Sequence, residues 1–411
     1  MPGALLPLLG GLTSLVVPAS VAQVENAVFA HVRAEAGSAP RSPGADPEGA
    51  LALELQPGAA LRLTLPRSQL RLVASPRLYY RTPNLADVDR PLFLVQADAD
   101  YTYDFDPRTR LASKLDVSYG EVDYTNAPAA LGTPLAGELE QASLEVLNVN
   151  VEGTLTFQLR PRHTLSVGAL AHHTDDVGVE ASSAFPTTTT VGVELAYGYA
   201  LDERSTLSFP VQPRYYFVDP GSDWFSTAFN AAFVRQLDLR TTVDARGGLV
   251  LVDTRDSALS VYPSAAASIE RVVLERRGTR VTNRAGVVLD ANLDPTIGEV
   301  RPALGVELSA LSYFGPRWSA GLSLSAYTNT TTREAAEEEP TTDDTTLSST
   351  LSAGYRVGMD AWLDFGARFY LRGTNIIEDD FDVVERQIWG FVTFRIAVGI
   401  GELQSEAGWA L

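Results

Sequence analysis

A chain of 411 residues with no cysteine and a formal net charge of -19 excludes several function classes at once. Without thiols there are no disulfides, thiolate nucleophiles, iron–sulfur clusters or Cys-type zinc sites. With 51 acidic against 32 basic residues, no basic face exists to neutralise phosphates, so a nucleic-acid partner is excluded. Beyond the N-terminus no run of about 18 uncharged apolar residues occurs, which excludes membrane-spanning helices.

The chain opens on an apolar run, Leu5 to Val17, followed by the small residues Ser20-Val21-Ala22. This pattern predicts an export signal over residues 1–22 with Gln23 as the mature start, although no Lys or Arg precedes the run. A buried helix is the competing reading. Pro2, Pro7, Pro18 and the pair Gly10-Gly11 argue against it.

From there the hydrophobic period is two. At 24–36, Val28, Ala30, Val32 and Ala34 alternate with Phe29, His31, Arg33 and Glu35. At 51–65, Leu51, Leu53, Leu55, Leu61, Leu63 and Leu65 alternate with Glu54, Gln56, Arg62 and Thr64. At 92–106, Phe93, Val95, Ala97, Ala99, Tyr101, Tyr103 and Phe105 oppose Gln96, Asp98, Asp100, Thr102, Asp104 and Asp106. Successive strand side chains point to opposite faces, so each segment is a strand with an apolar face and a polar one.

Short turns at Pro66-Arg67, Pro107-Arg108, Pro161-Arg162, Asp202-Glu203, Asp238-Leu239, Arg277-Gly278, Gly315-Pro316 and Gly358-Met359 alternate with mostly longer polar connections. This repeat of hairpins yields about 18 strands, within a range of 16–18. Spread over residues 24–398, each strand with its connection takes about 21 residues. Soluble sandwiches repeat at roughly 8–12 residues, whereas a membrane strand needs about 9–11 merely to cross the hydrocarbon. Pro76, Pro213, Pro263 and Pro302 fall inside strands, where bulges or ends of pairing are expected, and Gly120 predicts a bulge through its change of parity.

The apolar parity carries almost no charge mid-strand, and aromatics bunch near strand ends, as at Tyr197/Tyr199, Tyr215/Phe217, Trp318 and Phe369. Lipid cannot hydrogen-bond a backbone, so strands facing it must close into a ring. The predicted fold is therefore all-β: a single closed antiparallel transmembrane β-barrel over residues 23–400, with short periplasmic turns, longer extracellular loops and a C-terminal tail over 401–411. A secreted soluble β-protein is the alternative.

This organisation resembles Gram-negative outer-membrane β-barrel proteins of the porin type, and more weakly the 18-stranded barrels associated with exopolysaccharide export. The resemblance covers nearly the whole mature chain and is architectural. It implies an outer-membrane location, contact with outer-membrane lipid and lipopolysaccharide, and insertion by the barrel-assembly machinery. Porin-type barrels usually end on an aromatic residue, whereas here Trp389, Phe391 and Phe394 are followed by a tail ending Gly408-Trp409-Ala410-Leu411.

Eighteen strands about 4.8 Å apart and tilted about 40° close at a radius of roughly 18 Å, too wide for wall side chains to fill. Water or an infolded loop, 126–140 or 328–346, then occupies the lumen. The expected lumen lining is Arg71, Arg77, Asp98, Asp100, Asp104, Lys114, Asp116, Glu152, Glu194, Arg214, Asp244, Arg246, Arg301, Glu307, Arg356, Asp364 and Arg368. In porins, opposed charge ladders of this kind set up a transverse field, as the resemblance implies. Simple pairing across neighbouring strands is the plainer reading.

Glu334, Glu337, Glu338, Glu339, Asp343 and Asp344, then Glu378, Asp379, Asp380 and Asp382, make two connections acidic without any EF-hand spacing. Solvated loops are the expectation, and no metal or cofactor site is expected. Among the histidines, only His172 and His173 with Asp175 and Asp176 suggest a rim hydrolase. No phosphate loop, nucleophile elbow or HExxH occurs, so no catalytic residue is expected. The predicted function is a porin-like channel for small hydrophilic solutes or ions. The alternatives are an exopolysaccharide-export barrel with a periplasmic partner and a non-conducting structural or adhesion barrel.

Overall fold

The computed structural model describes residues 23–40, 45–85, 90–123, 143–176, 187–219, 221, 223–254, 259–276, 278–294, 299–329, 342–358, 360–376 and 382–400. The expected signal (1–22), the tail (401–411) and the loop candidates within 126–140 and 330–341 lie outside the described residues.

The chain folds into 18 strands. The first six are β1 (Gln23–Ala39), β2 (Glu48–Leu65), β3 (Ser68–Thr82), β4 (Leu92–Asp106), β5 (Thr109–Asp123) and β6 (Ser143–Arg160). Next come β7 (His163–Asp176), β8 (Thr187–Asp202), β9 (Ser205–Asp219), β10 (Trp224–Asp238), β11 (Thr241–Thr254) and β12 (Ser260–Arg276). The last six are β13 (Thr279–Asp294), β14 (Glu299–Phe314), β15 (Trp318–Asn329), β16 (Thr342–Arg356), β17 (Ala361–Ile376) and β18 (Asp382–Ile400).

Each strand pairs antiparallel with its neighbours in sequence, and β1 closes the ring by pairing β18 from Asn26↔Ile400 to Ser38↔Ile388. The sheet thus has no edge, and every strand finds partners on both sides. Strand lengths run from 12 residues in β15 to 19 in β18, enough to cross a hydrocarbon layer that needs about 9–11 residues.

The tight connections are tied into a continuous band. The carbonyl of Arg67 accepts from the Asp104 N–H at 2.7 Å, Arg108 from Gln158 at 2.7 Å, Arg162 from Ala200 at 2.9 Å, Arg204 from Gln236 at 2.8 Å and Arg240 from Val272 at 2.8 Å. One turn's carbonyl therefore anchors the next hairpin. Three of these turns share a local device in which Asp106, Asp202 and Asp238 each accept, at 2.7 Å, the backbone N–H two residues on, that of Arg108, Arg204 and Arg240. This Asx geometry fixes the turn and spends the aspartate's charge on a backbone dipole.

Most irregularities sit beside these turns. The register shifts at Asp104/Asp106, Gln158/Arg160, Ala200/Asp202, Gln236/Asp238 and Val272/Leu274 lie at short-turn ends. A sixth, at Arg372/Gly373, lies toward the opposite end. The interior prolines shift no register. Pro76, Pro213, Pro263 and Pro302 keep a partner on one side, opposite Val95, Thr227, Leu249 and Ala291, and pairing lapses locally on the other where the N–H is missing.

Gly120 also departs from expectation. Neither of its ladders shifts register there: the β4 ladder ends at Leu94↔Gly120 and the β6 ladder runs on through Gly120↔Val146, so there is no bulge. The parity changes because Val122 is a lumen-side apolar residue packed with Leu94, Leu144 and Val146, while Glu121 on the other face bonds Arg90 at 2.5 and 2.7 Å. Gly120 itself adopts φ +133°, and a Cβ built there runs into the Phe93 carbonyl oxygen. Gly120→Ala is expected to lower the yield of folded barrel, whereas Gly153→Ala, with open space at its Cβ, is expected to fold normally. The heat-modifiable shift on an SDS gel reports both.

Candidate functional site

Closure assigns the two faces. Side chains on a concave wall converge, so residues two strands apart touch only on the inside. Gln56 of β2 reaches Gln96 of β4 at 3.4 Å, Arg246 of β11 reaches Asp290 of β13 at 2.7 Å, and Glu35 of β1 reaches Arg368 of β17 at 3.3 Å. These residues and their same-parity neighbours form the inner face. The other parity is apolar and looks outward: on β8, Val193 is 43% and Leu195 48% exposed.

Outward aromatics mark two levels. Tyr103 and Phe105 (ring centroids 4.8 Å apart), Tyr197 and Tyr199 around His163, and Trp318 against Tyr355 (4.5 Å) lie at the short-turn end. Tyr215 and Phe217, 4.6 Å apart, lie at the long-loop end. Such paired girdles are what an amphipathic ring does at two membrane–water interfaces.

The inner wall divides into sectors. Across β17, β18, β1, β2 and β3 runs an arginine-rich layer. Arg33 pairs with Glu35 at 2.8 Å, and Glu35 also bonds Arg368. Arg395 meets Asp364 at 2.6 Å, Arg77 meets Glu54 at 2.6 Å, and Arg62 meets Glu25 at 3.3 Å. Arg33 also lies over the Phe391 ring, 4.2 Å from its centroid, and Arg81 over Trp389 at 5.7 Å while donating to the Ala39 carbonyl. Arginines outnumber carboxylates here, and stacking keeps their planar heads flat against the wall.

Above and below this layer are apolar ones. Toward the long loops, Tyr79, Leu92, Leu94, Val122, Leu144, Val146 and Trp389 pack with Leu85. Toward the short turns, Phe29 and Trp362 pack with Ala27, Ala60 and Ala397. Phe29 lies across Gly58, where any side chain would collide with its ring. The ion pairs of Glu35, Glu54 and Asp364 are therefore held between greasy layers and partly removed from water, which sharpens their mutual interaction, while Arg62–Glu25 lies on the short-turn side of Phe29.

The adjacent sector, β4 to β8, is acidic. Asp98, Asp100, Asp104, Asp116, Glu152 and Glu194 share the inner face with Lys114 and Arg110. Lys114 pairs with Asp116 at 2.8 Å, and Arg71 bridges to this sector through Asp100 at 2.9 Å. Asn150 donates to Asp116 and Glu152, and Gln212 to Glu194. Asp104 and Arg110 stand 3.8 Å apart.

The third sector is mild. Arg214 donates to Gln212 at 3.5 Å, Asp244 stands beside Arg246 in parity, and Glu307 accepts from Tyr327. On β12 and β13 Glu270 stands opposite Arg284 and Glu275 opposite Arg280, while on β15 and β16 hydroxyls line the wall, as in Ser325–Ser348 at 2.6 Å. Arg356 sits at the short-turn mouth, bonding the Gly358 carbonyl and lying over Trp362. By register Arg301 belongs to the inner parity, and its side chain lies outside the described residues.

Sequence reading left Arg33, Glu35, Glu54, Arg81, Asp290 and Arg395 out of the lining. Parity already placed Arg33 and Glu35. What was missing was β1–β18 closure, which brings the first and last strands together.

The histidine site does not assemble. His172 faces inward and bonds Thr174 at 2.9 Å, whereas His173 faces outward and bonds Thr189 at 2.8 Å. Asp175, also outward, accepts from Thr187 at 2.5 Å, so strand alternation separates the two histidines by the thickness of the wall. The side chains of Asp176 and of the acidic loop residues lie outside the described residues. Among the described residues no group of three His, Asp or Glu converges as a metal site.

The facing makes a direct prediction. Leu195→Arg should block barrel assembly, because an outward arginine at mid-depth costs about 2–4 kcal/mol in lipid. The adjacent Glu194→Arg, which faces inward, should assemble at close to the natural yield in the same refolding assay.

No family model and no curated protein matches this sequence. Among solved structures, the siderophore receptor PirA from Pseudomonas aeruginosa aligns at 11% identity over 92% of this chain and 80% of its own, with a TM-score of 0.44. The outer membrane protein OpdK from Pseudomonas aeruginosa aligns at 11% identity over 91% and 99%, with a TM-score of 0.45. OccAB4 from Acinetobacter baumannii aligns at 10% identity over 93% and 100%, with a TM-score of 0.43.

Proposed function

We propose that this chain is an outer-membrane channel that passes small hydrophilic solutes or ions through a charge-lined lumen. The observation that carries the reading is segregation: mid-strand ionisable residues occupy the inner face, while the outer face offers leucine, valine and aromatic side chains to its surroundings. An apolar belt around the outside of the ring matches acyl tails, and a closed antiparallel ring is the one β-architecture that lipid permits. In this reading the short turns face the periplasm and the long loops the exterior, and the barrel-assembly machinery inserts the chain.

The channel reading follows from width. A ring of this size has a backbone radius of roughly 18 Å, and the side chains described leave the mild serine–threonine wall unlayered. An arginine-rich wall next to an acidic one imposes a field across the water column. That field orders water and admits solutes according to charge. No single side chain dominates it, because most charges are paired within one strand of their origin.

Purified barrel in a planar bilayer is expected to give discrete conductance steps, and a silent barrel over a wide voltage range would favour a structural or adhesion role. The triple variant Asp98→Asn/Asp100→Asn/Asp116→Asn removes acidic charge while keeping shape. Its cation-over-anion permeability ratio, read from the reversal potential in a salt gradient, is expected to fall by about twofold or more.

A further inference from the structure

The ends of the outward face carry opposite charge. At the long-loop end the outward residues are acidic: Glu121 and Glu145 stand opposite each other, Asp175 bonds Thr187, Asp223 bonds Tyr215, and Asp219 and Asp253 are exposed. Arg90, paired with Glu121, and the outward, exposed Arg386 of β18 offset them in part. At the short-turn end outward Arg160, Arg235, Arg271 and Arg276 outnumber outward Asp106, Asp202 and Asp238, so the lipid-facing surface there is on balance basic.

Four arginines define this band. Arg235 of β10 follows outward Phe233, and Arg271 of β12 follows outward Ile269. Arg160 of β6 pairs with His163, whose ring packs on outward Tyr197 and Tyr199. Arg276 of β12 pairs with Thr279, on the parity of outward Val281 and Val287. All four side chains are exposed. They stand at the level of the short-turn aromatic girdle, where a long side chain lays its methylenes along apolar surface and its head reaches the polar layer.

Turn arginines Arg204 and Arg240 extend the band, likewise exposed. Asp202 and Asp238 divide their charge between the backbone N–H groups of their own turns, the hydroxyls of Ser205 and Thr241, and the nearby Arg235 and Arg271, so they neutralise the band only in part. Arginine presents a planar fork that fits two phosphate oxygens at once.

We propose that this outward arginine band binds the phosphate headgroups of anionic phospholipid in the leaflet that surrounds the short turns. The proposal rests on the membrane reading, and insertion into a neutral bilayer tests that reading separately.

The test uses the refolded mature chain in nanodiscs of phosphatidylcholine alone or with phosphatidylglycerol added. The natural protein is expected to insert in both, to melt at a higher temperature with phosphatidylglycerol, and to carry phosphatidylglycerol into native mass spectrometry. The variant Arg160→Gln/Arg235→Gln/Arg271→Gln/Arg276→Gln should insert equally in phosphatidylcholine, lose the melting shift and retain about tenfold less phosphatidylglycerol. A companion variant with lysine at the same four positions should keep most of the shift. In the natural protein the shift should also vanish near 1 M salt, where the Debye length is about 3 Å.

Equal melting in the two lipids would overturn the proposal, as would a glutamine variant that keeps its preference. Should the glutamine variant not fold, the salt dependence and the lysine variant still decide. Failure to insert into phosphatidylcholine at all would instead overturn the membrane reading.

Discussion

The backbone's need for partners governs this molecule. In hydrocarbon an unpaired N–H or C=O costs several kcal/mol and finds no water to relieve it. A strand crossing lipid is therefore tolerable only with neighbours on both sides, and a finite sheet supplies that only by closing. Here the closure is made by β1 against β18, thirteen residue pairs from Asn26↔Ile400 to Ser38↔Ile388. The band of turn-carbonyl bonds at the short-turn end does the same for the connections, handing each hairpin to the next.

Given closure, side-chain alternation does the rest. A period of two lets one strand show leucines to its surroundings and arginines to the lumen, with no residue in between. The same rule destroys the candidate histidine site, because adjacent residues cannot share a face. It builds the charged wall by placing every second residue of neighbouring strands within reach, so that β17, β18, β1, β2 and β3 interlock Arg33, Glu35, Arg77, Glu54, Asp364, Arg368 and Arg395. Those ion pairs sit between apolar layers around Trp389 and Phe29, whereas hydroxyls line the wall of β15 and β16.

Strand number, strand bounds and facing were largely legible in the sequence, because periodicity is a local signal and turn residues punctuate it. Arg71 or Glu194 can be given a face from its own strand alone. Three features were not legible. The ring contact between first and last strand is the longest-range pairing in the chain, and nothing near Arg33 or Arg395 announces it. Val122 looked like the far side of a bulge because it is an apolar residue on the polar parity, and only its packing against Leu144 and Val146 explains it. The outward arginines Arg235 and Arg271 break the apolar parity within a few residues of a turn, so the alternation of their own strands does not announce which face they take.

The natural chain contains no cysteine, so single cysteines can be introduced along β8 and probed with a membrane-impermeant maleimide after reconstitution. Gly192→Cys, Glu194→Cys and Ala196→Cys are expected to label from water, and Val191→Cys, Val193→Cys and Leu195→Cys to resist it. Uniform labelling at all six positions, or the inverse pattern, would contradict a barrel that is apolar outside and wet within.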